Sequence, residues 1–280
     1  MLKRILTVFL ALVILFGVST GFAQNEKYGS LRIRYFKIGK ADAFLLRTDK
    51  HAVLIDAGEE DDGPEISSFL VKKQINTLDY LILTHFDKRS IGGVPEVLEA
   101  VKVNKILIPD YKKESALAMM VFNLIDGMNV EKVTEKMTFS LDRVEFAVLP
   151  AALHEYSEDD DNNFSLVTTI KHGENSFFFS GDIMSQRITE MLDFGLLLPH
   201  TVIKMPCHGQ NINSLDVLLD NVSPRIAVIP ASAKNPPAGA VISDLEARGI
   251  RWYCTKDGSV SLTSDGYGIS IEQTKKIKKE

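Results

Sequence analysis

From Leu31 onward the chain alternates short apolar runs with polar breaks. Leu31 to Ile38 reads apolar and polar in turn, Ala43 to Thr48 follows, and His51 to Ile55 runs into Asp56-Ala57-Gly58. Runs this short, rich in branched and aromatic side chains and closed by turn residues, predict strands. A polar turn, Glu59 to Pro64, precedes an amphipathic helix over Glu65 to Lys73. Leu78 to Thr84 reads as a buried strand that opens into the polar loop His85 to Ser90. After Ile91-Gly92-Gly93 the pattern predicts a helix over Val94 to Val101. A strand at Lys105 to Pro109, a helix over Ser115 to Ile125 and more strands within Val130 to Leu149 complete the first half.

The second half repeats this content. Strands are predicted at Ser165 to Ile170 and Ser176 to Phe179, then a helix over Ser185 to Phe194, a strand at Thr201 to Met205, a helix over Leu215 to Asn221 and a strand at Arg225 to Pro230. A helix over Val241 to Arg248 and closing strands at Arg251 to Cys254 and Ser259 to Thr263 finish the pattern. Strands first and strand–helix alternation afterwards, twice over, suit an α/β fold of two mixed β-sheets packed face to face with helices outside, a four-layer αββα sandwich. Residues 31–273 read as one domain, because no linker or repeat divides them.

The N-terminus differs from the rest. Lys3 and Arg4 precede an apolar run from Ile5 to Val18, and Gly21 and Ala23 supply small residues beyond it. That is the order of a secretory signal peptide over residues 1–23, cut after Ala23, and the run is short for the roughly 20 residues that span a bilayer. Residues 24–30 then form a short linker and residues 274–280 a basic tail. The expectation is a secreted, extracytoplasmic protein with no membrane span in the mature chain.

Composition narrows the functions. With 32 Lys and Arg against 37 Asp and Glu, the net charge of −5 offers no basic face for non-specific nucleic-acid binding. Cys207 and Cys254 fit no zinc-finger spacing and are compatible with one disulfide or with two buried thiols. The acidic stretch Glu155 to Asn163 does not follow the spacing of a Ca²⁺ loop and reads as exposed loop.

Candidate chemistry gathers where buried strands end: Asp56, the loop His85 to Ser90, Asp182 after Phe177-Phe178-Phe179-Ser180-Gly181, and His208. Loops at one end of α/β sheets converge, so these can share a cleft. Each Asp alone is equally explained as a turn or capping residue, and His208 alone as structural. Ser90 lacks a G-x-S-x-G elbow, Cys207 and His208 are sequence neighbours rather than a pair assembled by the fold, and no Gly-rich phosphate loop is present.

Leu78 to Gly93, LDYLILTHFDKRSIGG, resembles the T-H-x-H-x-D-H-x-G-G signature of the metallo-β-lactamase superfamily. From Leu31 to Gly266 the chain is similar to the extracellular metallo-β-lactamase-like domain of DNA-uptake competence proteins of the ComEC type. The similarity runs through Ile38 to Ala43, Leu54 to Gly58, Asn163 to Val167, Phe179 to Asp182, Lys204 to Gln210, and Gly258 to Gly266. The resemblance implies a hydrolase site at His85, with Asp87 standing at the second histidine position, Arg89 at the aspartate position and Ser90 at the last histidine position. Cys207 and His208 stand for its histidine pair, and Lys234 to Ala238 lacks its late histidine. A guanidinium cannot ligate a metal and brings +1 into the place of a second ion, so a dinuclear centre is not expected. Two outcomes follow. One is a single Zn or Mn ion held by His85, Asp87, Asp182 and His208, with Asp87 and Asp182 also serving catalysis on a small-molecule, ester or phosphodiester substrate. The other is no metal and an inactive binding or scaffold protein in which Arg89 neutralises Asp182 or Asp56 and holds an anion. Asp56, Arg89, Ser90, Asn163 and Cys207 are the remaining expected pocket residues. Nucleic acid enters only through the resemblance.

Overall fold

The computed structural model describes residues 27–156 and 161–274. The signal-peptide region and nearly all of the basic tail lie outside them, as does the centre of the acidic stretch. In chain order the strands are β1 (Leu31–Tyr35), β2 (Phe44–Arg47), β3 (Ala52–Ile55), β4 (Thr77–Leu78), β5 (Tyr80–Ile82), β6 (Lys102–Val103), β7 (Ile106–Pro109) and β8 (Val130–Val133). They continue as β9 (Met137–Leu141), β10 (Val144–Leu149), β11 (Val167–His172), β12 (Asn175–Phe179), β13 (Val202–Lys204), β14 (Ile226–Ile229), β15 (Arg251–Cys254), β16 (Val260–Ser264) and β17 (Ile269–Gln273). The helices are α1 (Gly63–Lys72), α2 (Lys88–Ile91), α3 (Val94–Ala100), α4 (Ala116–Ile125), α5 (Ser185–Asp193), α6 (Leu215–Val222) and α7 (Gly239–Ala247).

One sheet runs β17-β16-β1-β2-β3-β5-β7-β8 and the other β15-β14-β13-β12-β11-β10-β9. Both are mixed: β3, β5, β7 and β8 pair in parallel, as do β12 to β15, and the hairpins are antiparallel. Three apolar layers hold the stack. Tyr35, Phe44, Ile55, Phe146, Phe177 and Phe179 pack between the sheets. Ile66, Leu70, Val97 and Val121 seat α1, α3 and α4 on the first sheet. Ile188, Met191, Leu218 and Leu245 seat α5, α6 and α7 on the second. The result is the expected helix–sheet–sheet–helix sandwich. Parallel strands buried on both faces read as continuous apolar runs, which is why β3, β7 and β14 were legible.

The sequence pattern missed β17, the short pair β4 and β6, and α2, which lies inside the stretch read as loop. Cys207 and Cys254 are separate buried thiols.

Gly92 and Gly93 connect α2 to α3 and are fixed by close approach. A Cβ on Gly93 would run into the Ala57 carbonyl, and one on Gly92 into the backbone at Glu59 and Glu60. Gly93→Ala is therefore expected to cost about 2–3 kcal/mol, because only backbone could move aside. A urea titration should show a lower midpoint with an unchanged slope.

Candidate functional site

The site lies at the end of the two sheets where β3, β5, β12 and β13 finish. Asp182 follows β12 through Ser180-Gly181, and its backbone N–H donates to Ser165 Oγ at 3.1 Å. Gly181, at φ 57°, makes the turn with its α-carbon against Ser165. Beyond β13 the chain turns through three successive left-handed residues, Cys207, His208 and Gly209, with φ of 46°, 56° and 71°. For the two non-glycine residues this conformation costs on the order of 1–3 kcal/mol each. It turns the Cys207 N–H onto Asp182 Oδ1 at 3.1 Å and the His208 ring toward Asp182 Oδ2, with Nε2 at 3.0 Å.

Two residues that sequence reasoning did not single out complete the cluster. Lys204, the last residue of β13, places its ammonium 2.9 Å from Asp182 Oδ1 and 2.8 Å from the Gly181 carbonyl, and it pairs with Asp42 Oδ2. Asp42 enters from the loop between β1 and β2, and its other oxygen lies 3.6 Å from His208 Nδ1. The four side chains thus form a closed ring in which Lys204 and His208 each bridge both carboxylates. None is more than 2% exposed. The signal for Asp42 was present, since a charge set between Ala41 and Ala43 beside an apolar strand cannot stay buried without a partner.

Charge behaviour follows the geometry. Burial alone would raise the Asp182 carboxyl, but His208 and Lys204 outweigh it and hold it well below the usual range. Burial works to lower Lys204, and Asp182 and Asp42 overcome it, leaving the ammonium held above its usual value. His208 Nδ1 also lies 3.1 Å from the Pro230 carbonyl, which can only accept, so that nitrogen carries a proton. The ring's Nε2 lies 3.0 Å from Asp182 Oδ2.

The loop after β5 behaves differently. Asp87 caps α2, accepting from the Arg89 backbone N–H at 2.9 Å, and pairs with Arg89 Nε at 2.9 Å. Burial opposes ionisation of Asp87, but these bonds bring it below its usual range; Asp87 in turn raises Arg89 against its own burial. Arg89 pairs with Asp87 rather than with Asp182 or Asp56, because the cap two residues upstream puts a carboxylate over its own guanidinium. His85 is buried, with Nδ1 2.9 Å from Thr84 Oγ1 and 3.4 Å from Ser90 Oγ. Its Nε2 has no hydrogen-bond partner, and burial lowers its proton affinity. Asp56 is turned away toward Thr84, accepting from its N–H at 2.8 Å and its hydroxyl at 2.7 Å. Burial and then Asp42 raise this carboxyl well above the usual range. Asn163 accepts from the Met184 N–H at 3.0 Å, and Cys207 Sγ contacts the Asp182 carbonyl and Met184 Sδ, each at 3.1 Å.

Among the described residues, the one group with three ligand atoms close together is Asp42, Asp182 and His208, all within 4.8 Å of one another. His85 and Asp87 are not part of it. Arg89 and Ser90 supply no ligands for a second ion, so the residues do not fit a dinuclear centre. The three-atom group has the chemistry to hold one cation, but the Lys204 ammonium already lies against both of its carboxylates.

The helix–sheet–sheet–helix sandwich is shared with solved structures. The metallo-β-lactamase fold protein YhfI from Bacillus subtilis aligns over 87% of this chain and all of its own, with TM-score 0.55 and 11% identity. Igni18, a metallo hydrolase from Ignicoccus hospitalis, aligns over 88% of this chain and all of its own, with TM-score 0.54 and 16% identity. The Metallo-beta-lactamase superfamily model matches residues 38–232, and the chain belongs to that superfamily. Among curated proteins it is 29% identical over 192 residues, 65% of its length, to ComE operon protein 3 of Bacillus subtilis. It is 25% identical over 205 residues, 71% of its length, to Recombination protein 2 of Haemophilus influenzae. It spans only 24% of the length of each.

Proposed function

We infer that this chain is an exported, non-hydrolytic member of the superfamily that binds a ligand bearing an oxyanion in the cleft at Arg89. The observation that carries the reading is the Asp87–Arg89 pair, which takes two positions of the ligand signature out of metal chemistry and sets a guanidinium at the mouth of the site. Arg89 lines a cleft of about 560 Å³ with Lys37, Lys40, Lys88 and Asn235, and with Glu59, Asp61 and Asp62. Asp87 occupies Arg89 Nε, which leaves the two terminal nitrogens for the paired oxygens of a phosphate or carboxylate, the geometry in which guanidinium binds best. Export rests on the N-terminal pattern of a basic start, an apolar run and small residues.

A second reading has its own support. Asp42, Asp182 and His208 offer three ligand atoms to a single ion, and the His208 Nδ1 contact with a carbonyl is the orientation common in metal-bound imidazoles. One set of measurements separates the two: elemental analysis after equilibration with Zn²⁺ and Mn²⁺, turnover of bis(p-nitrophenyl) phosphate, and calorimetric titration with pyrophosphate. Expected are substoichiometric metal, no turnover, and pyrophosphate binding weakened at least tenfold by Arg89→Ala, the loss typical of a charge-assisted hydrogen-bond pair. About one ion per chain, lost in Asp182→Asn, together with turnover, would replace the binding reading by the one-ion hydrolase.

A further inference from the structure

A second cavity lies next to the His85 loop. It encloses about 460 Å³ between the end of β7, the edge strand β8 and the C-terminal end of α4. A volume of this order with apolar walls and a few polar groups is the form of a small-molecule site. Ile108, Ile125 and Val130 supply aliphatic walls, and Phe86, Tyr111 and Phe122 aromatic ones. The three rings are not parallel. Tyr111 meets Phe86 at 35° with ring centres 4.8 Å apart, and Phe122 stands at 89° to Phe86 with centres 4.7 Å apart. Rings set at such angles close a corner rather than a stack, and aromatic corners of this kind hold alkylated ammonium groups.

The charges on the lining point the same way once pairs are removed. Lys113 is neutralised by Asp161 and Lys132 by Asp110. The lining charges left without an ion pair among the described residues are Lys112, Glu114 and Asp126, one positive and two negative. Asp126 sits directly after α4 as its C-terminal cap, and the last turn of that helix carries no basic residue. The C-terminal end of a helix gathers negative partial charge and is stabilised by a cation, so an aspartate there works against the helix. Its side chain makes no hydrogen bond or ion pair among the described residues that would offset this. Helix α4 thus ends in uncompensated negative charge on the wall of an aromatic cavity.

We propose that this cavity binds a small organic cation, an alkylated ammonium held between the aromatic corner and Asp126 at the end of α4. The rings favour the cation over an uncharged group of the same shape, and Asp126 with the helix end supplies the opposite charge. The volume leaves room for an apolar body beyond the ammonium head. The Phe86 backbone N–H donates to the Tyr111 hydroxyl at 2.7 Å, so an occupant pressed on Tyr111 is sensed at the Phe86 amide. The proposal is independent of oxyanion binding at Arg89.

The test compares choline with 3,3-dimethylbutan-1-ol, which has the same shape without the charge, on the native protein. Calorimetric titration with choline is expected to saturate at one per chain. The alcohol should bind about fivefold more weakly or worse, the margin that ring faces give a cation. Asp126→Asn changes an exposed side chain and leaves the fold intact. It should weaken choline at least threefold and leave the alcohol unchanged. In two-dimensional NMR choline should move the Phe86 amide. Equal affinity for choline and the alcohol would reduce the cavity to an apolar pocket and overturn the proposal. Choline binding unmoved by Asp126→Asn, shifts that spare the Phe86 amide, or no saturable binding would overturn it as well.

Discussion

Lys204→Met is expected to destabilise the protein by about 3–5 kcal/mol, the usual cost of removing one partner from a buried ion pair. The aliphatic stem is retained by methionine, so little packing is lost and nearly all of the effect is electrostatic. Without the ammonium, Asp42 and Asp182 face each other in a buried site with only His208 between them. The loss should depend on pH in a defined direction. Asp182 is held below its usual range in the folded chain, so its contribution to stability is present above the unfolded carboxyl value of about 4 and is lost as pH falls through the folded value. The difference between wild type and Lys204→Met should therefore be largest near neutrality and shrink at acid pH, where protonation removes the uncompensated charges. Urea denaturation at pH 7 and pH 4 measures both. Asp42→Asn combined with Lys204→Met should cost clearly less than the sum of the single changes, because the second removes a charge that the first has orphaned. Additive losses would mean that the four side chains do not act as a ring.

Arg187→Met should produce the second large effect, about 3 kcal/mol, by the same mechanism at a different place. Arg187 lies on α5, is fully buried, and pairs with Glu190 one turn later while donating to the Pro150 carbonyl. Glu190 in turn accepts from the Ala152 N–H at 3.0 Å, the Leu153 N–H at 3.3 Å and the Tyr156 hydroxyl at 2.7 Å. The pair fastens the segment after β10 to the second sheet's helix layer. Removing the guanidinium leaves Glu190 buried with these three donors but no counter-charge. Loss of stability should thus be accompanied by faster hydrogen exchange at the Ala152 and Leu153 amides, while amides of β11 and β12 slow or quicken only with global stability. Arg187→Met with Glu190→Gln should recover part of the loss. Unchanged exchange at Ala152 and Leu153 would show that Glu190 holds this segment without Arg187.

Much of the fold was legible, and the reasons are particular. Leu54-Ile55, Ile106-Leu107-Ile108 and Phe177-Phe178-Phe179 are strands covered on both faces, and they announce themselves as unbroken apolar runs. β17 was missed because Ile269 and Ile271 alternate with polar residues over only five positions, and α2 because four residues give no period. At the site, sequence order found Asp182 and His208 but not their partners. Asp42 and Lys204 each sit in an apolar run, but nothing in one dimension joins the two, and only the approach of the two sheets makes them a pair. Asp87 shows the converse. Its resemblance to a ligand position suggested metal chemistry, whereas a local rule, an Asp immediately before a helical turn, already described the cap it makes.

The ring around Lys204 also bears on folding kinetics. Asp42 comes from the first sheet, and Asp182, Lys204 and His208 from the second, so the contacts of Asp42 with Lys204 and His208 cannot form until both halves are built and brought together. Contacts of such long sequence separation form late, after the loop-closure entropy has been met. Until then the Asp42 carboxylate has only water to satisfy it, and premature drying of this region is penalised. Lys204→Met should accordingly raise the unfolding rate far more than it slows refolding, and the lifetime of the native state depends on this ring more than the speed of reaching it does.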